Sequence, residues 1–399
     1  SNFRFFTSNL AGLIVVAVIL VSILMVSGVL IQTLKGHTIY QLDVYLKELY
    51  LISLPGYILM ILLSFTVHLI VNNKFAGHGV ALAIWITMFM LRNFGEMDYN
   101  LFYYSYLPGY RWSDINGLGH FAAPIFWFTL YWTFFGIVML TFAFLFYQRG
   151  VTGSFKERWR VAGQRLKGAP VMIIGICLLG WMATGAWNYY NVSVLNNYKS
   201  SSTNNRNTAL FEKTLKKYEN IVQPKVVSVK VNADIYPDDR SIKMHSFLTV
   251  VNKSSEPIKE LHLSASGDLK YTLVYNGKLL SYNSPLSFDH AAINFLKSGK
   301  DTFNYHIFQL PETLQPTDTA VMEVHSITAY NGFVNNGFNR EILYDGTFFS
   351  GGIPSFGYNA DGELSSDEKR KKHGLKPKND EYPPQSDVKG KNTMLFNDD

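Results

Sequence analysis

Six ionisable residues in the first half of the chain lie in or beside long apolar runs, where charged groups are costly and often functional. They are His68, His78, Glu96, Asp98, Asp114 and His120. One interpretation is a metal or proton-relay site that uses the three histidines. The other places the six at helix ends in the headgroup layer, and it is favoured because five of the six lie outside the apolar runs or, like His78, at the first residue of one. His68 is the exception, and we predict an intramembrane polar site there.

Five histidines of the second half could in principle bind a metal. They are His245, His262, His290, His306 and His325. Their spacing along the sequence fits no metal-ligand pattern, which favours surface or half-buried positions. The sequence also lacks H-E-x-x-H, G-x-x-x-x-G-K-[ST] and G-x-S-x-G, and its single cysteine, Cys177, excludes a disulfide framework. The residues alone therefore predict no catalytic, cofactor or metal site.

A strongly basic stretch, residues 148–170, separates two of the most apolar runs. Its cations are Arg149, Lys156, Arg158, Arg160, Arg165 and Lys167, against the single acid Glu157. Short loops rich in Lys and Arg stay in the cytoplasm. The segment could also form a basic amphipathic helix, with Phe155 and Trp159 in the headgroup layer. We predict that these six cations contact anionic lipid or a cytoplasmic partner.

Five apolar runs have the length or composition of membrane spans, and the third is the shortest. They are residues 10–34, 49–71, 78–91, 121–147 and 171–190. If the basic stretch is cytoplasmic, alternation puts the N-terminus inside. The loops 35–48 and 92–120, and everything after Tyr190, then lie outside. The aromatic loop 92–120 is predicted to lie in the interface or to fold back over the helical bundle.

The chain divides into a membrane half and a soluble half. The predicted regions are a helical membrane domain at 1–190, a linker with a short helix at 191–224, a β-domain at 225–360 and a charged, mobile tail at 361–399. Alternating apolar and polar residues indicate strands in the β-domain, and Asn276-Gly277 predicts a type I′ hairpin. We expect an antiparallel all-β sandwich.

The overall charge argues against nucleic acid as a partner. The formal net charge is +6, but much of the excess belongs to the one basic stretch. No basic patch with interleaved aromatic residues is present, so nucleic-acid binding is excluded. The bilayer is the partner that the composition indicates.

Several long segments resemble a known family. "FRFFTSNLAGL", "LKELYLISLPGYIL", "VNNKFAGHGV", "LPGYRWSDINGLGHFAAPIFWFTLYW" and "RWRVAGQRL" are similar to the permease part of bacterial ABC-2-type permease/M1 aminopeptidase fusion proteins. The segments 207–263 and 343–375 resemble the linker and the N-terminal β-domain of the M1 part. The resemblance covers nearly the whole chain.

The resemblance implies a multi-span protein of the bacterial inner membrane, driven by a separate ABC ATPase, with an extracytoplasmic β-domain that guides peptide access. Family peptidases hold zinc with two His and a Glu and grip the substrate with G-x-M-E-N. Neither motif maps here, since "VMEV" around Met322 and Glu323 lacks the Gly and Asn. Zinc is expected only in a catalytic domain beyond "MLFNDD", and the start is expected to lie inside a longer protein. A homo-oligomer is left open, as is the alternative of a membrane-anchored binding or structural module without transport.

Overall fold

The computed structural model describes most of the chain. The described residues are 2–93, 98–147, 154–265, 269–282, 287–289, 300–336, 342–344, 346–349 and 351–378. They form two compact units. The helical unit comprises Ser1–Ser200, Pro237–Arg240 and Tyr330–Phe349, and the sheet unit comprises Ser201–Tyr236, Ser241–Ala329 and Ser350–Asp399. The helical unit thus includes two short segments far along the sequence from the apolar runs.

Seven α-helices of the helical unit follow the apolar runs and the basic stretch. They are α1 (Asn2–Leu34), α2 (Leu42–Leu46), α3 (Leu54–Val71), α4 (Lys74–Asn93), α5 (Ala122–Phe146), α6 (Phe155–Arg165) and α7 (Ala169–Tyr189). A π-helical stretch, Lys47–Ser53, joins α2 to α3, and another, Tyr190–Leu195, extends α7. The region predicted to be a linker from residue 191 therefore begins as helix.

Five helical segments among the described residues are long and apolar enough to cross a membrane, which confirms the predicted number. They are Asn2–Leu34, Leu42–Val71, Lys74–Asn93, Gly119–Phe146 and Ala169–Leu195. The third begins earlier than predicted because Asn73 caps it. The Asn73 side-chain oxygen accepts hydrogen bonds from the backbone N–H groups of Phe75 and Ala76, at 3.0 and 3.1 Å.

The aromatic loop between α4 and α5 contributes to the core of the helical bundle. The Tyr104 ring is buried and lies edge-on to Trp132, with centroids 5.3 Å apart. Its hydroxyl donates to the backbone carbonyl of Leu59, within α3, at 3.0 Å. Gly136 on α5 makes room, since a Cβ there would lie 3.0 Å from the same hydroxyl. Part of the loop thus folds back between helices, where a buried tyrosine finds the partner it needs.

The sheet unit consists of antiparallel strands with two helices. The strands are β1 (Lys225–Tyr236), β2 (Ser241–Val251), β3 (Ile258–Ser264), β4 (Lys270–Tyr275), β5 (Lys278–Leu280), β6 (Ser287–Asp289), β7 (Lys300–Thr302), β8 (Tyr305–Leu314), β9 (Thr319–Ala329) and β10 (Ser355–Phe356). The helices are α8 (Ser201–Leu215) and α9 (Asp367–Lys372). The sheet orders are β1-β2-β9-β4-β5, β10-β3-β8 and β6-β7. The prediction of antiparallel sheets is confirmed, and the sandwich stays a prediction.

The alternating sequence of β2 and β9 places one face of the five-stranded sheet in the core. Every second residue of each strand is buried, and these side chains join residues of β3 and β8 in one apolar cluster. β4 and β5 form the predicted hairpin, because Asn276 and Gly277 both have the positive φ, 45° and 78°, that a type I′ turn requires.

Strand β1 differs from the half-buried strand that its alternation predicts. All twelve of its residues are exposed. β1 lies at the edge of the five-stranded sheet, and β2 is its only partner among the described strands. A period of two therefore identifies the strand, but it does not determine whether another element covers its apolar side.

The charged segment after residue 360 is packed more closely than its composition predicts. Arg370 on α9 is 3% exposed and donates two hydrogen bonds to the carboxylate of Glu212 on α8, at 2.7 and 2.9 Å. Glu363 is also buried and accepts from Lys216 at 2.8 Å. Paired charges fasten this segment to α8, so charge density alone did not indicate its structure. Residues 379–399 lie outside the described residues.

Candidate functional site

The basic stretch forms the predicted helix, α6, and its start is fixed by its own sequence. Ser154 and Glu157 make a capping box. The Glu157 carboxylate accepts from the Ser154 backbone N–H at 2.8 Å, and the Ser154 hydroxyl accepts from the Glu157 N–H at 3.4 Å. These bonds satisfy two N–H groups that have no partner within the helix. An ordered helix therefore follows the fourth span.

Arg158 turns toward the bundle rather than toward solvent. Its side chain is 4% exposed and donates to the backbone carbonyls of Leu69, Ile70 and Phe146, the latter two at 3.1 and 3.5 Å. These carbonyls lie at the C-terminal ends of α3 and α5, where they have no partner within the helix and the helix dipole is negative. Burial lowers the pKa of Arg158 from its ordinary value, but a guanidinium remains charged in proteins. Arg158 therefore caps two spans at once.

Arg165 makes a second attachment from the last turn of α6. Its guanidinium donates to the carbonyls of Leu145 and Tyr147, at 3.3 and 2.7 Å. Between the two arginines, Ala162 packs against Leu145 and Phe146 in a small buried cluster. The helix is thus fixed along its length to the end of α5.

The exposed surface of α6, called here its free face, carries the amphipathic pattern, although its two aromatic rings also contact Phe146 of α5. Phe155 and Trp159 are 57% and 64% exposed, one helical turn apart. Three cations are also exposed, namely Lys156, Arg160 and Lys167. The structure therefore divides the six cations predicted to contact lipid or a partner. Arg158 and Arg165 hold backbone carbonyls instead, the three exposed cations stay available, and Arg149 lies outside the described residues.

His68, the predicted intramembrane polar residue, pairs with His78 across the tight α3–α4 turn. Its Nδ1 lies 2.7 Å from the carbonyl oxygen of Ser64, and its Nε2 lies 3.1 Å from Nδ1 of His78. Since a carbonyl only accepts, Nδ1 of His68 carries a proton. In the neutral pair, Nε2 of His68 then accepts from His78 Nδ1–H, which leaves His78 Nε2 as a lone-pair base. This arrangement can carry a proton or bind a cation at the end of the bundle that holds α6.

His120 and Asp98, two other polar residues of the predicted membrane site, do not join this pair. His120 lies at the start of α5, whereas Phe146 at its end lies beside Ile70; a helix of 25 residues spans about 37 Å. Asp98 accepts from the Tyr198 hydroxyl at 2.5 Å. Burial, reinforced by this carboxylate, raises the pKa of Tyr198 above its ordinary value. Glu96 lies outside the described residues. The structure thus separates His68 and His78 from His120, so no three-histidine site forms.

A polar layer closes the other end of the helical unit, and no sequence pattern indicated it. Asn100 is fully buried and receives a hydrogen bond from Arg92 at 2.7 Å. Its backbone N–H donates to the Asn335 side chain at 2.9 Å, and its amide donates to the Asn335 carbonyl at 2.6 Å. Asn335 comes from the returning segment Tyr330–Phe349. Asn100 and Asn335 are 235 residues apart in the sequence, so no local sequence pattern could indicate their contact.

Comparisons with known proteins give a limited result. No protein-family model and no curated protein matches the chain. Among solved structures, an M1 zinc metallopeptidase from Deinococcus radiodurans is 15% identical, with a TM-score of 0.19. The match covers 27% of this chain and 20% of that one. A mutant of that metallopeptidase bound to a Tyr-Ser-Ala substrate is 14% identical over 31% of this chain and 29% of its own, also with a TM-score of 0.19. At that TM-score the likeness carries no argument.

Proposed function

We propose that this chain is the membrane-spanning part of an ABC-2-type permease, driven by a separate cytoplasmic ATPase, and that it bears the non-catalytic N-terminal β-domain of an M1-type aminopeptidase on the outer side of the bacterial inner membrane. Five membrane-length helices followed by an antiparallel sheet unit support this order of parts. The family resemblance of the sequence supplies the transport class.

The attachment of α6 is the observation that carries the proposal. A part that couples an ATPase to membrane helices must be rigidly joined to those helices and must present a free surface to the ATPase. Arg158 joins α6 to the ends of α3 and α5. The Phe155 and Trp159 rings pack on Phe146 at the end of α5, yet they remain 57% and 64% exposed. A force on the free face would therefore reach two spans directly.

The charge of the free face indicates the chemistry of the partner. Lys156, Arg160 and Lys167 are exposed cations beside two exposed aromatic rings. Such a surface suits an acidic groove with apolar pockets, and electrostatic attraction would speed and orient docking. Anionic headgroups offer the same charge without a fixed shape, so lipid contact accompanies the docking role.

The test is charge reversal on the free face alone. In the triple variant Lys156→Glu, Arg160→Glu and Lys167→Glu, we expect the vanadate-sensitive ATP hydrolysis that co-purifies with the chain to fall at least about ten-fold, because opposed charges across an interface cost several kcal/mol. A matched control reverses Lys230, Lys253 and Lys259, which are exposed on the sheet unit, and should retain the activity. Equal ATP hydrolysis in both variants would contradict the docking role of α6.

The alternative, a membrane-anchored binding module, is favoured by strand β1. It is twelve residues long, exposed throughout, and its outer edge has no strand partner among the described residues. An edge of this kind can take an extended peptide as an added strand. If the sheet unit binds peptide while the chain never co-purifies with an ATP-hydrolysing activity, this function would be favoured over transport.

A further inference from the structure

We propose that His245, Glu323 and His325 form a binding site for a divalent first-row transition-metal ion, such as Zn²⁺, on the outer face of the five-stranded sheet. Each of the three offers one ligand atom, and all three atoms lie within 4.8 Å of one another. The site belongs to the sheet unit alone and does not depend on transport or on a peptidase.

Strand register creates the cluster. His245 on β2 pairs directly with His325 on β9, and Phe247 pairs with Glu323. Successive residues of a strand point to opposite faces, so Glu323 and His325 share one face. Their neighbours Met322 and Val324 are buried in the core, so that face is the outer one. His245 and Glu323 are 78 residues apart, which is why sequence spacing predicted no metal ligands.

The distances suit a small cation. The Glu323 Oε2 atom lies 3.1 Å from His245 Nε2 and 3.9 Å from His325 Nε2. Ligands of tetrahedral zinc, with bonds of about 2.0–2.1 Å, lie roughly 3.3 Å apart. The three side chains are 31–48% exposed, so small rotations can close the remaining difference.

The donor set selects the class of metal. Two imidazoles and one carboxylate suit Zn²⁺, Cu²⁺ or Ni²⁺, whereas Ca²⁺ and Mg²⁺ prefer oxygen ligands only. Three protein ligands leave a coordination position open for water or another donor. The two histidines line an open groove of about 550 Å³ that also includes Asn232, Lys270 and Thr272. A ligand in this groove could therefore reach the metal.

A simpler reading treats the cluster as an ordinary surface contact. His245 and Glu323 would then form a hydrogen bond, and the two imidazole rings, stacked with centroids 4.0 Å apart, would pack together. That interpretation explains one hydrogen bond to Glu323 Oε2, the one from His245. It leaves His325 Nε2 at 3.9 Å from the same oxygen, beyond hydrogen-bonding distance. A shared cation would use all three Lewis-basic atoms, which lie within 4.8 Å of one another.

The test is metal binding by the full chain in detergent after removal of bound metals with a chelator. Zn²⁺ binding is measured by calorimetry, and Co²⁺ binding by its visible absorption. We expect the double variant His245→Gln/His325→Gln to lose one equivalent of metal, with affinity at that site reduced more than about 100-fold, since even outer partners of metal ligands matter 10- to 100-fold. The control His37→Gln removes an exposed histidine outside the cluster and should bind as the unaltered chain does.

Both variants retain the His68–His78 pair. A metal stoichiometry that differs between them therefore assigns the lost site to the sheet cluster and not to that pair. If the double variant unfolds, Glu323→Gln carries the test, with an expected loss of about ten-fold. Equal binding by the double variant and the control would overturn the proposal. So would an unaltered chain that binds Zn²⁺ no more tightly than about 1 mM, a free energy of only about 4 kcal/mol.

Discussion

Arg158 in the helical unit and Arg370 in the sheet unit are both buried, and the two are neutralised in different ways. Arg158 in the helical unit is 4% exposed and is surrounded by backbone carbonyls at helix ends. Arg370 in the sheet unit is 3% exposed and holds the Glu212 carboxylate with two parallel hydrogen bonds. The first cation is stabilised by dipoles and the second by a full opposite charge.

This difference determines which groups lose their hydrogen-bond partner when each arginine is replaced. Carbonyls at a helix end are neutral, and water can replace the arginine as their donor. A buried carboxylate without its partner retains its charge in a medium that solvates it poorly. The bond to Glu212, opposed by burial, raises the pKa of Arg370, so this guanidinium stays charged at every ordinary pH. We therefore expect the sheet unit to depend more on its arginine than the helical unit does on Arg158.

Replacement of Arg370 should have the largest effect. Arg370→Ala should reduce the free energy of unfolding of the sheet unit by about 3–5 kcal/mol, because Glu212 is left buried and unpaired. Chemical denaturation followed by far-UV circular dichroism, with hydrogen exchange of α8, measures the loss. The double variant Glu212→Leu/Arg370→Met removes both charges and should be the more stable of the two. If the Arg370→Ala variant were as stable as the unaltered chain, the proposed difference between the two arginines would be wrong.

Replacement of Arg158 should have a smaller and more local effect. Arg158→Ala should cost about 1.5–3 kcal/mol, the range for hydrogen bonds to charged groups, and should release α6 from α3 and α5. Hydrogen exchange of Phe155–Arg165 should become faster while exchange within α8 does not change. The neighbouring exposed cation provides the control, since Arg160→Ala should leave both rates unaltered. Faster exchange in the control would mean that general charge, and not the two-helix cap, holds α6.

One buried histidine, His262, and one half-buried histidine, His306, extend the comparison to pH. Burial lowers the pKa of His262 and His306 from 6.5, although Glu260, 3.5 Å from His262 Nε2, opposes the shift of His262. Below pH 6.5 the unfolded chain therefore binds protons that the folded chain does not. The contribution of these neutral histidines to folding stability is fully present above about pH 7. It is lost as the pH decreases through 6.5 toward their lowered pKa values.

The change that tests this is His262→Gln. The slope of unfolding free energy against pH, between pH 6.5 and 5, should decrease by up to about 1.4 kcal/mol per pH unit, the value for one proton. Denaturation at a series of pH values gives the slope, and His37→Gln should not change it. An identical slope in the His262 variant would show that the buried ring is not the group that titrates.

The sequence predicted those parts of the fold that depend on neighbouring residues. Apolar length identified the five spans, and the amphipathic pattern of the basic stretch identified the helix that forms there. The Asn276-Gly277 pair identified a hairpin, because its φ values are a local requirement. Each of these depends on residues within one or two turns of the chain.

The sequence did not predict the features that bring distant residues together. Arg370 and Glu212 are 158 residues apart, and residues 361–378 were expected to be mobile because only their composition was visible. His245 and His325 meet only because β2 pairs with β9 in one particular register. Likewise, the orientation of Arg158 depends on where α3 ends. For the same reason, the basic stretch indicated a charged surface but could not separate the two anchoring arginines from the exposed cations.

The orientation of the chain in the membrane is the claim on which the proposed function most depends, and two engineered cysteines test it directly. In a Cys177→Ser background, Gly163→Cys lies on the exposed side of α6, and Lys278→Cys lies exposed after the hairpin turn. With a membrane-impermeant maleimide on intact cells, we expect labelling at position 278 and none at position 163 until the cells are permeabilised. Labelling at 163 with none at 278 in intact cells would contradict the account.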